Sequence, residues 1–174
     1  MKLTHKISMY ALCIALVFIA TSTLNITIGT SLTNLGDAFI FISAALFGPI
    51  AGFLAGAFGS SLADFALGWG HTAIYTFIIK GIEGLAMGLL CNYIRKKDFK
   101  FSYNFFLTLY GIISGTIMIL GYFLAESFFY GTMEAALAYI YTNVIQASLS
   151  IVVFLIVYNI LIKVKKINNI SKEF

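Results

Sequence analysis

The sequence predicts an all-α integral membrane protein with six transmembrane helices and both termini in the cytoplasm. The chain of 174 residues is 60% hydrophobic and only 10% charged, whereas a soluble domain carries about 25% charged residues. Ten of its eleven Lys and Arg residues lie in three short clusters, at residues 2–6, 95–100 and 163–172, which separate long apolar stretches. Such a chain is expected to form one membrane domain over residues 1–174.

Each predicted helix is an apolar stretch, and a membrane span needs roughly 20 such residues. The six stretches run over residues 7–26, 35–47, 50–67, 72–94, 104–125 and 135–164. The first is too long for the apolar region of a signal peptide, so we expect it to be retained. The second is short and is expected to be tilted or partly re-entrant. Gly48-Pro49 predicts a tight turn before the third, because proline cannot continue the donor ladder.

The distribution of basic residues predicts the orientation. Cytoplasmic loops retain Lys and Arg, and six spans place all three basic clusters on one side. The loops on the other side, at residues 27–34, 68–71 and 126–134, contain no Lys or Arg. A five-span arrangement would break this pattern. We therefore expect a multi-pass protein of the cell membrane.

Several function classes lack their sequence signals. The chain has no GxxxxGK[ST] phosphate loop, no HExxH, no GxSxG and no Cys/His metal spacing. Cys13 and Cys91 lie in apolar stretches and are expected to be buried free thiols. The net charge of +4 arises from the basic clusters, which indicates lipid contact rather than nucleic-acid binding. We expect no enzymatic activity, no metal and no cofactor in this chain.

One cation lies inside an apolar stretch. Lys80 would cost several kcal/mol in hydrocarbon unless it faced a cavity or a partner. Glu83 follows three residues later, so the two side chains share one helical face. Two interpretations remain open: an ion pair that orders the bundle, or a pocket that offers both a cation and an anion. Asp64 could complete either arrangement.

The predicted topology places other polar residues, including Glu126, in the same outer half of the bilayer. Polar groups from several helices at one depth predict a hydrated pocket open to the exterior. The candidate substrate-binding residues are Asp37, Asp64, Trp69, His71, Tyr75, Lys80, Glu83, Asn143 and Gln146. Asp37 is equally interpretable as an anion in the first turn of a helix. Trp69 and Tyr75 are equally interpretable as residues of the interfacial aromatic belt.

The first predicted helix carries Ala11-x-x-x-Ala15. Small residues four apart lie on one helical face and allow another helix to approach closely. Contact with a partner protein and packing within the bundle are both compatible with this spacing.

The chain resembles the substrate-binding S components of energy-coupling factor (ECF) vitamin transporters over essentially its whole length. The resemblance rests on six predicted helices, the Ala11 and Ala15 face, and the segments LGDA at 35–38 and LFGPIAG at 46–52. The segments SLAD at 61–64 and IKGIEG at 79–84 resemble the branch assigned to pyridoxine or hydroxymethylpyrimidine.

The resemblance implies capture of a vitamin or vitamin precursor from outside. It also implies docking on a transmembrane coupling protein (EcfT-type) that joins two cytoplasmic ATPases (EcfA-type), with Ala11 and Ala15 meeting the coupling protein. Pyridoxine-type vitamin B6 or hydroxymethylpyrimidine is the favoured ligand, and riboflavin or pantothenate remains open. The alternative is a stand-alone carrier driven by protons or sodium, with Glu83 or Asp64 as the coupling carboxylate.

Overall fold

The computed structural model describes residues 3–28, 31–95, 103–164 and 167. These residues are almost entirely helical. The elements in chain order are α1 (Leu3–Thr23), β1 (Asn25–Ile28), β2 (Ser31–Asn34), α2 (Gly36–Leu54), a π-helix (Ala55–Ser60), α3 (Ser61–Ala66), α4 (Ala73–Arg95), α5 (Tyr103–Tyr130) and α6 (Met133–Leu161). Most of the basic residues used for the orientation lie outside the described ranges: Lys2, Lys96, Lys97, Lys100, Lys165, Lys166 and Lys172.

Within the described ranges, five helices are long and apolar enough to cross a membrane. They are Leu3–Thr23, Gly36–Ala66, Ala73–Arg95, Tyr103–Phe129 and Ala136–Leu161. The sequence predicted six because it counted residues 35–47 and 50–67 as separate spans. The structure joins them in one helical segment, which continues from α2 through the π-helix into α3.

This segment is interrupted at Gly48, whose backbone is not helical (φ 83°, ψ −176°). Only glycine adopts such a conformation readily, because it has no Cβ. The leg before Gly48 runs in the same direction as α4: the Asp37 side chain contacts Lys80, and the Ala45 carbonyl oxygen accepts a hydrogen bond from Arg95.

The leg after Gly48 runs back along α4. Pro49 lies against Gly88, and further along this leg Gly52 lies against Gly84. A Cβ on Gly52 would overlap the backbone of Gly84, and a Cβ on Gly84 would overlap the backbone of Gly52. The absence of side chains therefore allows this close helix crossing. The predicted turn at Gly48-Pro49 is thus present as a reversal of chain direction inside α2.

A short β-hairpin follows α1, where the sequence predicted helix to residue 26 and then a loop. The strands β1 and β2 pair antiparallel, with Asn25 opposite Asn34 and Ile28 opposite Ser31. The helix ends at Thr23, and the Asn25 side-chain amide donates to the Ser22 carbonyl oxygen at 2.8 Å. The run of β-branched residues after Asn25 favours strand over helix, which explains why the all-α prediction was wrong here.

The other boundaries lie within a few residues of the prediction, with one exception. Helix α5 was expected to end at residue 125 and instead continues to Tyr130. No proline or glycine interrupts the chain between these positions, and the helix stops before Gly131, whose φ is 71°. The connection between α5 and α6 is consequently shorter than predicted.

Helix α4 packs between α2 and α5, so its residues face both the core and the candidate site. The core beneath the site contains the fully buried side chains of Phe41, Met87, Leu107 and Phe154. Cys13 and Cys91 are buried free thiols, as predicted.

Helix α1 lies at the edge of the bundle. Its buried face contains Cys13, Val17 and Ala20. Ala11 and Ala15 are exposed, so the small-residue face of α1 is not covered by the part of the chain that the structure describes.

Candidate functional site

A polar cavity opens between the β-hairpin and the helices. Its volume is about 160 Å³, comparable to the roughly 150 Å³ of an engineered protein cavity that admits benzene. The cavity therefore has room for a molecule built on one aromatic ring. Its walls are formed by Thr21, Asn25, Asn34, Ser60, Asp64, Leu67, Trp69, Thr72, Tyr75, Thr76, Lys80, Tyr122, Glu126, Tyr139, Asn143 and Gln146.

Aromatic rings form a large part of the wall. Tyr75 and Tyr122 meet edge to face, with ring centroids 6.0 Å apart. The Tyr122 hydroxyl donates to Thr76 Oγ1 at 3.2 Å, which holds the ring in place. Trp69 and Tyr139 add two more rings. These groups provide flat apolar surfaces with polar tips, which suit a planar polar ligand.

Lys80 reaches the cavity from α4, but its charge is already paired. The Lys80 ammonium group donates to Asp37 Oδ1 and lies 3.1 Å from Glu83 Oε2. All three side chains are almost completely buried, at 4%, 1% and 0% exposure. The carboxylates come from the first turn of α2 and from the next turn of α4. A cation in this position is stable because two anions accompany it.

Asp37 also connects this ion-pair cluster to the β-hairpin. Its second oxygen, Oδ2, accepts a hydrogen bond from Gln146 Nε2 at 3.0 Å. The Gln146 Oε1 atom in turn accepts from the backbone N–H of Asn34 at 3.2 Å. Gln146 therefore ties α6 to both α2 and β2, and these hydrogen bonds set the position of the hairpin over the cavity.

Three polar atoms on the cavity wall have no hydrogen-bond partner among the described residues. They are Thr21 Oγ1, Glu126 Oε2 and Asn143 Nδ2, and each atom is buried. A buried polar group without a partner costs about 1–3 kcal/mol, and most such groups in native proteins are paired. The wall thus offers one acceptor, one donor and one hydroxyl that can be either, all available to a bound molecule.

The structure brings most of the predicted site residues together. Six of them line the cavity: Asp64, Trp69, Tyr75, Lys80, Asn143 and Gln146. Asp37 and Glu83 lie directly behind Lys80 and not on the wall. His71 is not part of the wall either; it stacks on Phe129 with ring centroids 5.5 Å apart.

Asp64 takes no part in the cluster around Lys80. It accepts a hydrogen bond from Thr72 Oγ1 at 2.9 Å. The third member of the cluster is Asp37. It lies in the first turn of α2 and also pairs with a buried cation, so both interpretations of this residue apply.

Other wall residues were absent from the predicted site. Glu126 could have been included on sequence grounds, because it is a carboxylate placed at the same depth as the others. Tyr122 and Tyr139 gave no signal of their own, since aromatic residues are frequent throughout this chain. Thr21 lies within the first predicted helix and in α1, where a single threonine gave no functional signal.

A bundle of apolar, membrane-spanning helices around a polar cavity defines a membrane protein that binds a small solute. The particular family follows from comparison with known proteins: the chain belongs to the family of S components of ECF-type riboflavin transporters, whose family model matches residues 1–163. This confirms the predicted relationship to S components of ECF transporters. The family is a substrate-binding component of a transporter and not an enzyme.

Membership of this family indicates the general process in which the chain takes part. S components take part in vitamin uptake and work with EcfT and EcfA ATPase modules. The chain is also similar to a protein from Pyrococcus woesei described as an uncharacterized protein in gap 3′ region. The two are 36% identical over 121 residues, which cover 69% of this chain and 75% of the relative.

Proposed function

We propose that this chain captures a small vitamin or vitamin precursor at the outer face of the cell membrane. The observation that carries the proposal is the set of unpartnered polar atoms of Thr21, Glu126 and Asn143 on a cavity walled by aromatic rings. A ligand that pairs with these atoms would relieve the cost of their burial. Because the atoms face one cavity, one ligand can satisfy several of them at once.

The favoured ligands are a pyridoxine-type form of vitamin B6 and hydroxymethylpyrimidine. Each has a single flat heteroaromatic ring, which matches a cavity of about 160 Å³. Riboflavin, which the family description names, is the main alternative. It has three fused rings and a ribityl chain, so its binding would require the hairpin and the helices around the cavity to move apart.

The proposed membrane arrangement has six passes with both termini in the cytoplasm. The reversal of the chain at Gly48 supports it, because the two legs on either side of Gly48 then cross in opposite directions. A membrane-impermeant maleimide applied to whole cells should label Gly131→Cys and leave His5→Cys and Lys163→Cys unlabelled. The opposite result would reverse the proposed orientation, and labelling of only one of His5→Cys and Lys163→Cys would overturn the count of six.

Ligand capture is tested by calorimetric titration of the purified protein, without ATP or partners, against a panel of B vitamins and their precursors. We expect one sub-micromolar binder with a single heteroaromatic ring. Tight binding of riboflavin alone would refute the preference for one ring and keep the capture role. No binding to folded, ligand-free protein across the panel would overturn the function itself.

Inward delivery is proposed to need an EcfT-type coupling protein and two EcfA-type ATPases. The exposed positions of Ala11 and Ala15 on α1 support a contact there. Ala11→Leu and Ala15→Leu should reduce uptake and co-purification with the coupling protein without changing ligand affinity. Leu12→Phe, which adds bulk on a neighbouring exposed part of α1, is the matched control. Uptake by this chain alone in liposomes, lost when an ion gradient collapses, would instead favour an ion-driven carrier.

A further inference from the structure

Acidic residues outnumber basic residues on and behind the cavity wall among the described residues, and this affects which charge a ligand can carry. Among the described residues on the wall, Lys80 is the only cation. Its ammonium group contacts the Asp37 and Glu83 carboxylates. One ammonium group thus has two carboxyl groups as close partners. Lys80 is therefore not available as a partner for an anionic ligand.

The other charged residues on the wall are both acidic. Asp64 extends from α3 and Glu126 from α5. Asp64 accepts a hydrogen bond from Thr72, whereas Glu126 Oε2 is buried without a hydrogen-bond partner among the described residues. Carboxylates in a region of low dielectric constant attract a cation and repel an anion more strongly than they would in water.

The aromatic part of the wall favours the same sign of charge. Cations bind over the faces of Tyr and Trp rings, within about 6 Å of the ring centroid. Tyr122 already interacts in this way with Lys80, whose Nζ atom lies 5.5 Å from the ring centroid. Trp69, Tyr75 and Tyr139 lie on the same wall.

We propose that the cavity selects a cationic ligand, such as an aromatic molecule bearing an ammonium group, and that Glu126 is the carboxylate that pairs with the positive charge. This inference rests on the proposed function and narrows its substrate class. It implies that anionic forms, including phosphate esters of the same vitamins, are excluded by the carboxylates on and behind the wall.

The test uses ligand pairs that differ only in one group. Pyridoxamine and pyridoxine differ by an ammonium group in place of a hydroxyl, and so do aminomethylpyrimidine and hydroxymethylpyrimidine. In one pair or the other, the amine should bind at least tenfold more tightly than the alcohol to the unmodified protein, in calorimetry at neutral pH. Pyridoxal 5′-phosphate should not bind.

The variant Glu126→Gln should bring the amine and the alcohol to within about twofold of each other, mainly by weakening the amine. Glu134→Gln is the matched control, because Glu134 is an exposed carboxylate of α6 that is not on the wall. If Glu126→Gln does not fold, Asp64→Asn is used in its place and should also reduce the preference for the amine over the alcohol.

The outcomes separate the two levels of the proposal. Equal or tighter binding of the alcohol, or a preference unchanged in Glu126→Gln, would refute cation selection while vitamin capture stands. Binding of riboflavin, without binding of any ligand of the two pairs, would also refute cation selection, since riboflavin is neutral. If nothing in the vitamin panel binds, the proposed function fails together with this inference.

Discussion

Replacement of Lys80 by methionine is the change whose effect follows most directly from the structure. Lys80→Met keeps a long side chain but removes the cation between Asp37 and Glu83. Two unit charges 3.1 Å apart, the distance from Lys80 Nζ to Glu83, attract by about 5 kcal/mol at an effective dielectric constant of about 20. Desolvation of both groups offsets part of this attraction. Removal of one partner from a buried ion pair costs about 3–5 kcal/mol, and we expect a loss of stability in this range.

The two carboxylates should differ in their contributions. Asp37 holds both Lys80 and Gln146, so Asp37→Asn should be clearly destabilising. Glu83 contacts Lys80 alone among these groups, and its Oε1 atom has no hydrogen-bond partner in the described part of the chain. Glu83→Gln should therefore cost less than about 1 kcal/mol, because Asp37 still pairs with Lys80 and no charge is left without a partner.

The assay is equilibrium unfolding of the ligand-free protein by SDS in mixed micelles, followed by circular dichroism. The triple variant Lys80→Met, Asp37→Asn, Glu83→Gln should recover at least half of the stability lost in Lys80→Met, since no uncompensated charge remains buried. A loss below about 1 kcal/mol in Lys80→Met would refute the stabilising role of the ion pairs. A loss of ligand affinity beyond tenfold at unchanged stability would show that Lys80 instead binds the ligand.

Three further changes test the packing around the site by the same unfolding measurement. Gly52→Ala should lower the free energy of unfolding by about 1–3 kcal/mol through overpacking, because the new Cβ would overlap the backbone of α4. The control is Gly115→Ala, where a Cβ would approach only a side-chain carbon at 3.0 Å and the loss should be smaller. Equal losses in the two variants would contradict this reasoning. Gly48→Ala should cost about 1–3 kcal/mol, because its φ of 83° is strained for alanine; an unchanged free energy of unfolding would show that the reversal is not strained. Gln146→Ala should lower the free energy of unfolding by about 1–3 kcal/mol, because it leaves buried polar groups unpaired. It should also speed amide hydrogen exchange in β2. Unchanged exchange would show that this side chain does not hold the hairpin.

Much of the helical architecture was predictable, because apolar length is a local property of the chain. The bilayer excludes unpaired backbone groups, so each long apolar stretch must form a helix. The β-hairpin was missed although residues 26–28 are β-branched, because the length of the apolar stretch was given more weight than this local preference for strand. The number of helices differed because the stretches 35–47 and 50–67 are contiguous in one helical segment, Gly36–Ala66, in which the chain reverses at Gly48.

The candidate site was partly predictable for a different reason. A charged residue in an apolar stretch requires compensation, so Lys80, Glu83 and Asp64 were identifiable from position alone. The partner of Lys80 was not identifiable, since Asp37 lies 43 positions away in the chain. Residues such as Tyr122 and Thr21 gave no signal, because their role on the wall depends only on which way their helices face.

The sequence by itself determined that this protein lies in a membrane, that it is built from apolar helices, and that polar groups are buried among them. It did so because burial of charge and exposure of backbone in lipid carry large free-energy costs that do not depend on the details of packing. Only the tertiary structure decided that Lys80 pairs with Asp37 and Glu83, and that Glu126 and Asn143 each place on the cavity wall an atom without a hydrogen-bond partner among the described residues. Pairing depends on distances of a few ångströms between residues far apart in the chain, which local composition does not specify.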